Sequence, residues 1–248
     1  MTPAAVAPCR SARVASISFS GCPHCDRPTG TARPLPATAR GQRARAQIVD
    51  AAATLMYHNG VSTTSLDDVL TAAGAGKGQM YHYFDGKADL VAAVIERQLE
   101  LVLAAQQPEL DHTDSWQGID AWMARIVREQ SRRGGPFGCP LGTIAAELKN
   151  DDTFGPSLDA AFARWEAPLA RGLKAMKDRG DLVHTAKPAR LAAMVIAALQ
   201  GGMLLARVRG NVTVLRDTLD GAVTELHRWA ATSAPAKPGS ARRKRQTR

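Results

Sequence analysis

The sequence has few aromatic residues and no uninterrupted apolar run long enough to cross a membrane. Only 5% of its 248 residues are Phe, Trp or Tyr, whereas Ala and Leu recur throughout, which favours helices over sheets. The most apolar segment, Leu191–Ala206, contains Gln200 and paired glycines and is shorter than the ~20 residues of a spanning helix. No stretch resembles a secretory signal. We therefore expect a soluble, cytoplasmic protein.

The acidic and basic residues balance everywhere except at the two ends of the chain. Residues up to Ala39 carry four arginines and one aspartate, and residues from Thr232 onward carry six basic side chains, which together account for the net charge of +9. The high pI is therefore no argument that the folded part binds nucleic acid. Because both ends are also rich in Pro, Ala, Ser or Gly, we predict a disordered leader over 1–38 and a disordered basic tail over 232–248.

Three of the four cysteines lie in the leader, two of them in the sequence Cys22-Pro23-His24-Cys25. A redox-active pair of this spacing requires a strand-to-helix junction, and neither pattern flanks it. A zinc site requires four ligands, and the remaining candidate, Cys9, is distant in sequence. We interpret the quartet as part of an unstructured leader. A thiol-redox or zinc-binding protein is the alternative, which turnover of a model disulfide, lost in Cys22→Ser, would favour.

Helical periodicity is nearly continuous between the two ends, so we predict an all-α protein of roughly nine helices. The first helix ends at Asn59-Gly60, and Pro168 should kink the helix that ends near Gly180. The other predicted helices are Ser65–Ala73, Lys77–Phe84, one from Lys87 to near Pro108, one from Trp116 to the Gly134-Gly135 pair, Pro140–Lys149, Pro188–Val208 and Val212–Ala230.

The segment from Thr63 to Leu90 predicts a helix-turn-helix. Thr64 can cap the first short helix, with Asp67 completing a capping box. Glycines in the sequence Ala73-Gly74-Ala75-Gly76 suit a tight turn. The second short helix and the residue that opens the next one carry groups suited to bases or phosphates. These are Lys77, Gly78, Gln79, Tyr81, His82 and Lys87.

The segment Ala39–Leu90 resembles the DNA-binding domain of TetR-family transcriptional regulators. Tyr81, Phe84 and Lys87 stand in the family's Tyr-x-x-Phe-x-x-Lys arrangement, and Thr64 falls on its helix-capping, phosphate-contacting threonine. Gly76 departs from the usual Ser or Thr, and Ala88 stands where Glu is common. The resemblance implies a three-helix helix-turn-helix domain over 39–86, followed by a helical ligand-binding and dimerisation domain over 87–231. It also implies a homodimer that presents two recognition helices to successive major grooves of operator DNA.

The resemblance also implies that the last two helices of each subunit form the dimer contact. An apolar stripe of the final helix and the pair Gly201-Gly202 fit that expectation; the stripe consists of Leu215, Leu219, Val223 and Leu226. From spacing alone, however, the stripe serves equally well as core within one subunit.

The segment Gly134–Leu148 resembles the regulatory domain of a TetR subgroup in which some members sense electrophiles or oxidants through a cysteine. With Pro140 at the first helical position, Cys139 lies at a helix N-terminus, which favours the thiolate. The alternatives are a small buried Cys139, and a reversible pocket for a small molecule whose wall Pro168 helps to shape. The predicted lining residues are Trp122, Cys139, Phe162 and Trp165.

We therefore predict a ligand-responsive transcriptional regulator, a repressor that binds a near-palindromic operator as a homodimer. A small-molecule or thiol-reactive effector would release it by shifting the helix that begins near Lys87. We predict no enzymatic activity, no catalytic residues, no metal and no cofactor. An architectural DNA binder without an effector is a second alternative.

Overall fold

The computed structural model describes residues 35–135 and 137–231. Most of the predicted leader, with its Cys-Pro-His-Cys quartet, and the predicted basic tail lie outside the described residues. Within them the chain forms nine α-helices and one 3-10 turn, and its only β-type pairing is a single bridge between Leu182 and Ala230. The predicted all-α fold is confirmed.

The helices follow the predicted order closely. They are α1 Ala39–Asn59, α2 Leu66–Ala73, α3 Lys77–Tyr83, α4 Lys87–Gln106, α5 Trp116–Gln130, α6 Pro140–Leu148, α7 Gly155–Asp178, α8 Pro188–Arg209 and α9 Thr213–His227. The 3-10 turn, Glu109–His112, has no counterpart in the prediction. Helix α5 ends at Gln130, before the glycine pair. The next residue, Ser131, caps it, because its N–H and hydroxyl both donate to the carbonyl of Val127.

Helices α1, α2 and α3 pack around one apolar core that continues into α4. Ile48 and Met56 of α1, Val69 of α2 and Met80 of α3 are all buried in one apolar cluster. Gly74 ends α2 in the left-handed conformation (φ +60°), as the predicted tight turn requires. Phe84, directly after α3, is fully buried, and its ring lies under the Arg45 guanidinium of α1, which anchors the end of α3 on α1.

The N-terminal cap of α2 is Ser65, and the predicted cap, Thr64, is wrong. The Ser65 hydroxyl accepts the N–H of Asp68 at 3.1 Å, and the Asp68 carboxylate accepts the N–H of Ser65 at 3.0 Å. Both Thr64 and Ser65 have an aspartate three residues later, so the pattern alone could not separate them. Thr64 is buried, and its hydroxyl donates to the carbonyl of Gly60 at 2.7 Å.

The C-terminal helices α7, α8 and α9 pack side by side. The stripe of α9 is intramolecular core: Leu215, Leu219 and Leu226 are buried within the chain, so its assignment to the dimer contact is wrong. A Cβ on Gly202 would lie 2.9 Å from the Leu215 side chain, which shows that this glycine permits close approach of α8 and α9. Gly201 faces open space instead.

Helix α8 is longer than its apolar stretch suggested. It runs for 22 residues with a mean hydropathy of 1.8 over its most apolar 18-residue window, enough by length and composition alone to cross a membrane. Because α7 and α9 cover part of its surface, however, its buried face is that of a core helix. The remaining face is apolar and exposed, with Leu204 63% and Val208 74% accessible.

Candidate DNA-binding surface and ligand cavity

Helix α3 presents a polar surface to solvent. Lys77, Gly78, Gln79, Tyr81 and His82 are all exposed, with Tyr81 57% accessible. A Cβ on Gly78 would meet nothing within 4 Å, so a partner could approach the backbone closely there. Lys77 pairs with Asp67 of α2 at 3.1 Å, an exposed contact of little energetic weight that a phosphate could replace.

Gln79 fixes the N-terminus of α3 in place of the missing Ser or Thr. Gly76 has no side chain with which to cap the helix, but the Gln79 side-chain oxygen accepts the Gly76 N–H at 3.1 Å. This is the reciprocal half of a capping box. The side chain that we expect to contact a base therefore also supplies part of the cap at the start of α3.

Lys87 and Thr64, the two outer residues of the predicted DNA surface, donate hydrogen bonds to backbone carbonyls of the protein. Lys87 donates from Nζ to the carbonyl of Ser62 at 3.3 Å and is half-buried. The Thr64 hydroxyl is directed to Gly60, as described above. The structure thus supplies intramolecular partners for both, in addition to the phosphate contacts predicted for them.

A basic residue of α1 also borders α3, and sequence reasoning missed it. A shallow groove of about 390 Å³ runs between the start of α1 and α3, lined by Arg40, Gln79 and His82 among others. Thr38 caps α1 there by accepting the N–H of Gly41 at 3.1 Å. Deeper in the fold, the Arg45 guanidinium lies 4.9 Å from the centre of the Phe84 ring.

Glu147, near the end of α6, forms hydrogen bonds with the backbone of the turn between α1 and α2. Its two carboxylate oxygens accept the N–H groups of Val61 and Ser62, each at 2.7 Å. Burial alone would raise the pKa of Glu147, but these bonds, the Ser62 hydroxyl and the nearby Lys87 charge outweigh it and lower the pKa. We call the two bonds from the Val61 and Ser62 N–H groups to the Glu147 carboxylate the Glu147 clasp. No sequence pattern predicts this clasp, because its partners are separated by more than 80 residues.

The start of the same helix α6 borders a partly open cavity of about 600 Å³ lined by residues of α1, α4, α5, α7 and α8. Of the predicted lining residues, Cys139 and Trp165 line it, whereas Trp122, Phe162 and Pro168 do not. Trp122 is fully buried core, and Phe162 stacks on Trp165 with ring centres 6.2 Å apart. Tyr57 of α1 also lines the cavity; its hydroxyl donates to Gly138 at 3.3 Å and accepts from Arg207 at 3.0 Å.

Cys139 caps α6 as predicted, but its thiol is not activated. Pro140 occupies the first turn, and the Cys139 sulfur accepts the N–H of Gly142 at 3.3 Å. Burial raises the pKa of the thiol, and hydrogen bonds from Gln200, Gly142 and Leu141 oppose that rise without reversing it. The expected thiolate is therefore wrong for this conformation, because desolvation outweighs the effect of the helix N-terminus.

The fold and these two features define a class: a helix-turn-helix DNA-binding regulator with a cavity in a separate helical region. Residues 48–94 match the family described as bacterial regulatory proteins, tetR family. Residues 115–220 match the C-terminal domain of LmrA/YxaF-like transcriptional regulators. The chain belongs to the TetR family of transcriptional regulators, which are DNA-binding proteins and not enzymes.

Individual relatives agree with this assignment over most of their length. An HTH-type regulator from the lacX 3′ region of Lactococcus lactis subsp. lactis is 29% identical over 183 residues, spanning 70% of this chain and 88% of that protein. LmrA of Bacillus subtilis (strain 168) is 28% identical over 176 residues, spanning 69% and 90%. A TetR transcriptional regulator from Chloroflexus aurantiacus J-10-FL superposes with a TM-score of 0.64 at 25% identity, covering 78% and 98%. NemR of E. coli in its reduced form shares the fold, with a TM-score of 0.64 at 22% identity, covering 77% and 99%.

Proposed function

We propose that this protein is a cytoplasmic, ligand-responsive repressor that binds a near-palindromic operator as a homodimer and is released by an effector in the α6-bordered cavity. The observation that carries the proposal is the position of α6. Its first residues border the cavity, and its Glu147 holds the turn that leads into the helix-turn-helix. We assign residues 39–86 to DNA binding and 87–231 to ligand binding and dimerisation.

The exposed face of α8 supports the homodimer. Its accessible residues recur at helical spacing on one side, and they are apolar or small: Ala197, Gly201, Leu204, Leu205 and Val208. Such a contiguous apolar surface marks an association site, and the small residues would let two copies of α8 approach closely. We therefore propose the outer face of α8, rather than the α9 stripe, as the dimer contact.

The DNA-contacting role of α3 yields a prediction in which two variants differ. Replacing Tyr81 by Ala should weaken binding to all duplexes alike, because we assign Tyr81 to the phosphates. Replacing Gln79 by Ala should weaken operator binding and also relax base preference at one position by ~1–3 kcal/mol. Competition binding with single-base operator variants measures both effects.

Gln117→Ala is the matched control for these variants, since Gln117 is an exposed glutamine on α5, outside the proposed DNA-binding region. It should leave every affinity unchanged. The division of roles between Gln79 and Tyr81 is wrong if both variants lower the affinity for every duplex by the same factor.

The function is tested by fluorescence anisotropy with DNA from immediately upstream of the protein's own gene and a scrambled duplex as control. The full-length chain is compared with a variant in which Cys9, Cys22 and Cys25 are Ser, so that Cys139 is the only thiol. We expect specific binding to the upstream DNA. Absence of any preference over the scrambled duplex would favour the architectural alternative.

Addition of N-ethylmaleimide to the same complexes separates the two kinds of effector. Because Cys139 is buried and its pKa is raised, we expect the operator complex to survive the reagent. Survival supports a reversible pocket ligand. Release of the operator in the variant that retains only Cys139 would instead support the thiol sensor.

A further inference from the structure

Three buried glutamines line the cavity, and the hydrogen bonds that orient their amide groups differ. Gln98, Gln106 and Gln130 are 3%, 9% and 7% exposed. Buried amides are normally hydrogen-bonded, because an unpaired one costs free energy. The bonds that each glutamine does make therefore indicate which group a ligand would meet.

Gln106 is oriented by two indoles. Trp122 and Trp165 both donate to its side-chain oxygen, at 3.0 and 3.1 Å. Both acceptor positions of the oxygen are thus occupied, so a bond from Gln106 to a ligand would come from Nε2. Gln98 is anchored through its other group: its Nε2 donates to the carbonyl of Ala53 at 3.1 Å, so its Oε1 is the group that would accept from a ligand.

Gln130, at the end of α5, has no such anchor. Its Oε1 is buried and has no hydrogen-bond partner within residues 35–135 and 137–231. An amide in this position is over 90% buried beside a cavity large enough for a small molecule. A ligand that donates a hydrogen bond would satisfy it.

Two of the three arginines that line the cavity are paired with neighbouring carboxylates, and the third, Arg133, is exposed to solvent. Arg125 bonds to the carbonyl of Ala105 at 2.8 Å and pairs with Glu109 at 3.3 Å. Arg132 pairs with Glu129 at 2.8 Å. A charged ligand would therefore lose its hydration with little compensation from the paired arginines, at a cost much larger than that of a neutral ligand.

We propose that the cavity binds an uncharged, largely apolar organic molecule that both donates and accepts hydrogen bonds, with Gln130 accepting from its donor group. This inference rests on the proposed function, since it names the chemistry of the effector for the same cavity. The apolar part of the ligand would contact Leu101, Val102, Ile126 and Met203, which also line the cavity.

The test uses the full-length protein and displacement of the fluorescent probe 1-aminoanthracene by three molecules of one shape. These are biphenyl-4-ol, biphenyl and biphenyl-4-carboxylate. We expect the alcohol to bind about tenfold more tightly than either of the others, the difference that one hydrogen bond to a buried acceptor supplies. In Gln130→Leu the affinities for the alcohol and the hydrocarbon should agree to within about threefold. The melting temperature of this variant should be unchanged or higher.

Arg133→Gln is the matched variant for an anionic ligand, because Arg133 is an exposed arginine at the cavity. The proposal is overturned if the carboxylate binds most tightly and loses its affinity in Arg133→Gln. It is equally overturned if the three molecules compete alike, if Gln130→Leu keeps the preference, or if no probe is displaced.

Operator affinity is measured in the same samples, so that failure of this inference and of the proposed function can be told apart. Selective binding of the alcohol with unchanged operator affinity supports the cavity chemistry and contradicts ligand-controlled repression. Release of the operator without the alcohol preference contradicts the cavity chemistry alone.

Discussion

Replacing Gln106 by Leu is expected to lower the free energy of unfolding by about 2–6 kcal/mol, because two buried donors lose their acceptor at about 1–3 kcal/mol each. Trp122 and Trp165 are both fully buried, and both donate to the Gln106 oxygen. Leucine has a similar volume, so the loss reflects unpaired indole N–H groups rather than a cavity. This one amide thereby joins α4, α5 and α7 in the interior.

Urea unfolding at a fixed protein concentration measures this effect, with Gln130→Leu as its matched control. Both variants exchange a buried glutamine at the same cavity for leucine. Gln130, however, has an unpaired oxygen, so its replacement should cost nothing or stabilise the fold. Equal destabilisation by the two variants would mean that the indole bonds contribute nothing beyond side-chain packing.

Replacing Glu147 by Gln is expected to destabilise the protein by about 1–2 kcal/mol at neutral pH. The carboxylate accepts two backbone N–H groups through two oxygens, whereas an amide has only one oxygen to offer. The N–H group of Val61 or Ser62 would then face another donor. We use the low end of the usual cost of an unsatisfied hydrogen-bonding group because the Glu147 side chain is exposed to solvent.

The pH dependence of that difference follows from the lowered pKa of Glu147. A carboxylate whose pKa falls on folding stabilises the folded state at pH values above its ordinary pKa, near 4.5, and the stabilisation is lost as the pH falls through the folded value. The gap in melting temperature between wild type and Glu147→Gln should therefore be constant near neutrality and close below about pH 4.5.

Hydrogen exchange localises the effect, since the Val61 and Ser62 amides should exchange faster in Glu147→Gln. The matched control is Asp152→Asn, which removes one negative charge from an exposed acid shortly after α6. It should leave both the melting temperature and those amides unchanged. If the control lowers stability as much as Glu147→Gln does, net charge rather than the clasp is responsible.

Structural features that depend on residues a few positions apart were predictable from the sequence. Apolar spacing and turn residues predicted the nine α-helices found in residues 35–135 and 137–231. Gly74 predicted the turn between α2 and α3, and Pro140 predicted the start of α6. These features depend on backbone geometry and on neighbours a few positions away, which the sequence displays directly. The motif of Tyr81, Phe84 and Lys87 added the family, because its spacing is specific.

The sequence by itself therefore determined the all-α fold, the helix-turn-helix and the class of regulator. Only the tertiary structure decided which surfaces and which side chains are available to partners. Burial raised the pKa of Cys139 against the local helix effect, and the Leu215 stripe turned inward onto α8. The glutamines of the cavity and the Glu147 clasp depend on groups far apart along the chain. Desolvation and long-range pairing are properties of the packed molecule, and no local pattern encodes them.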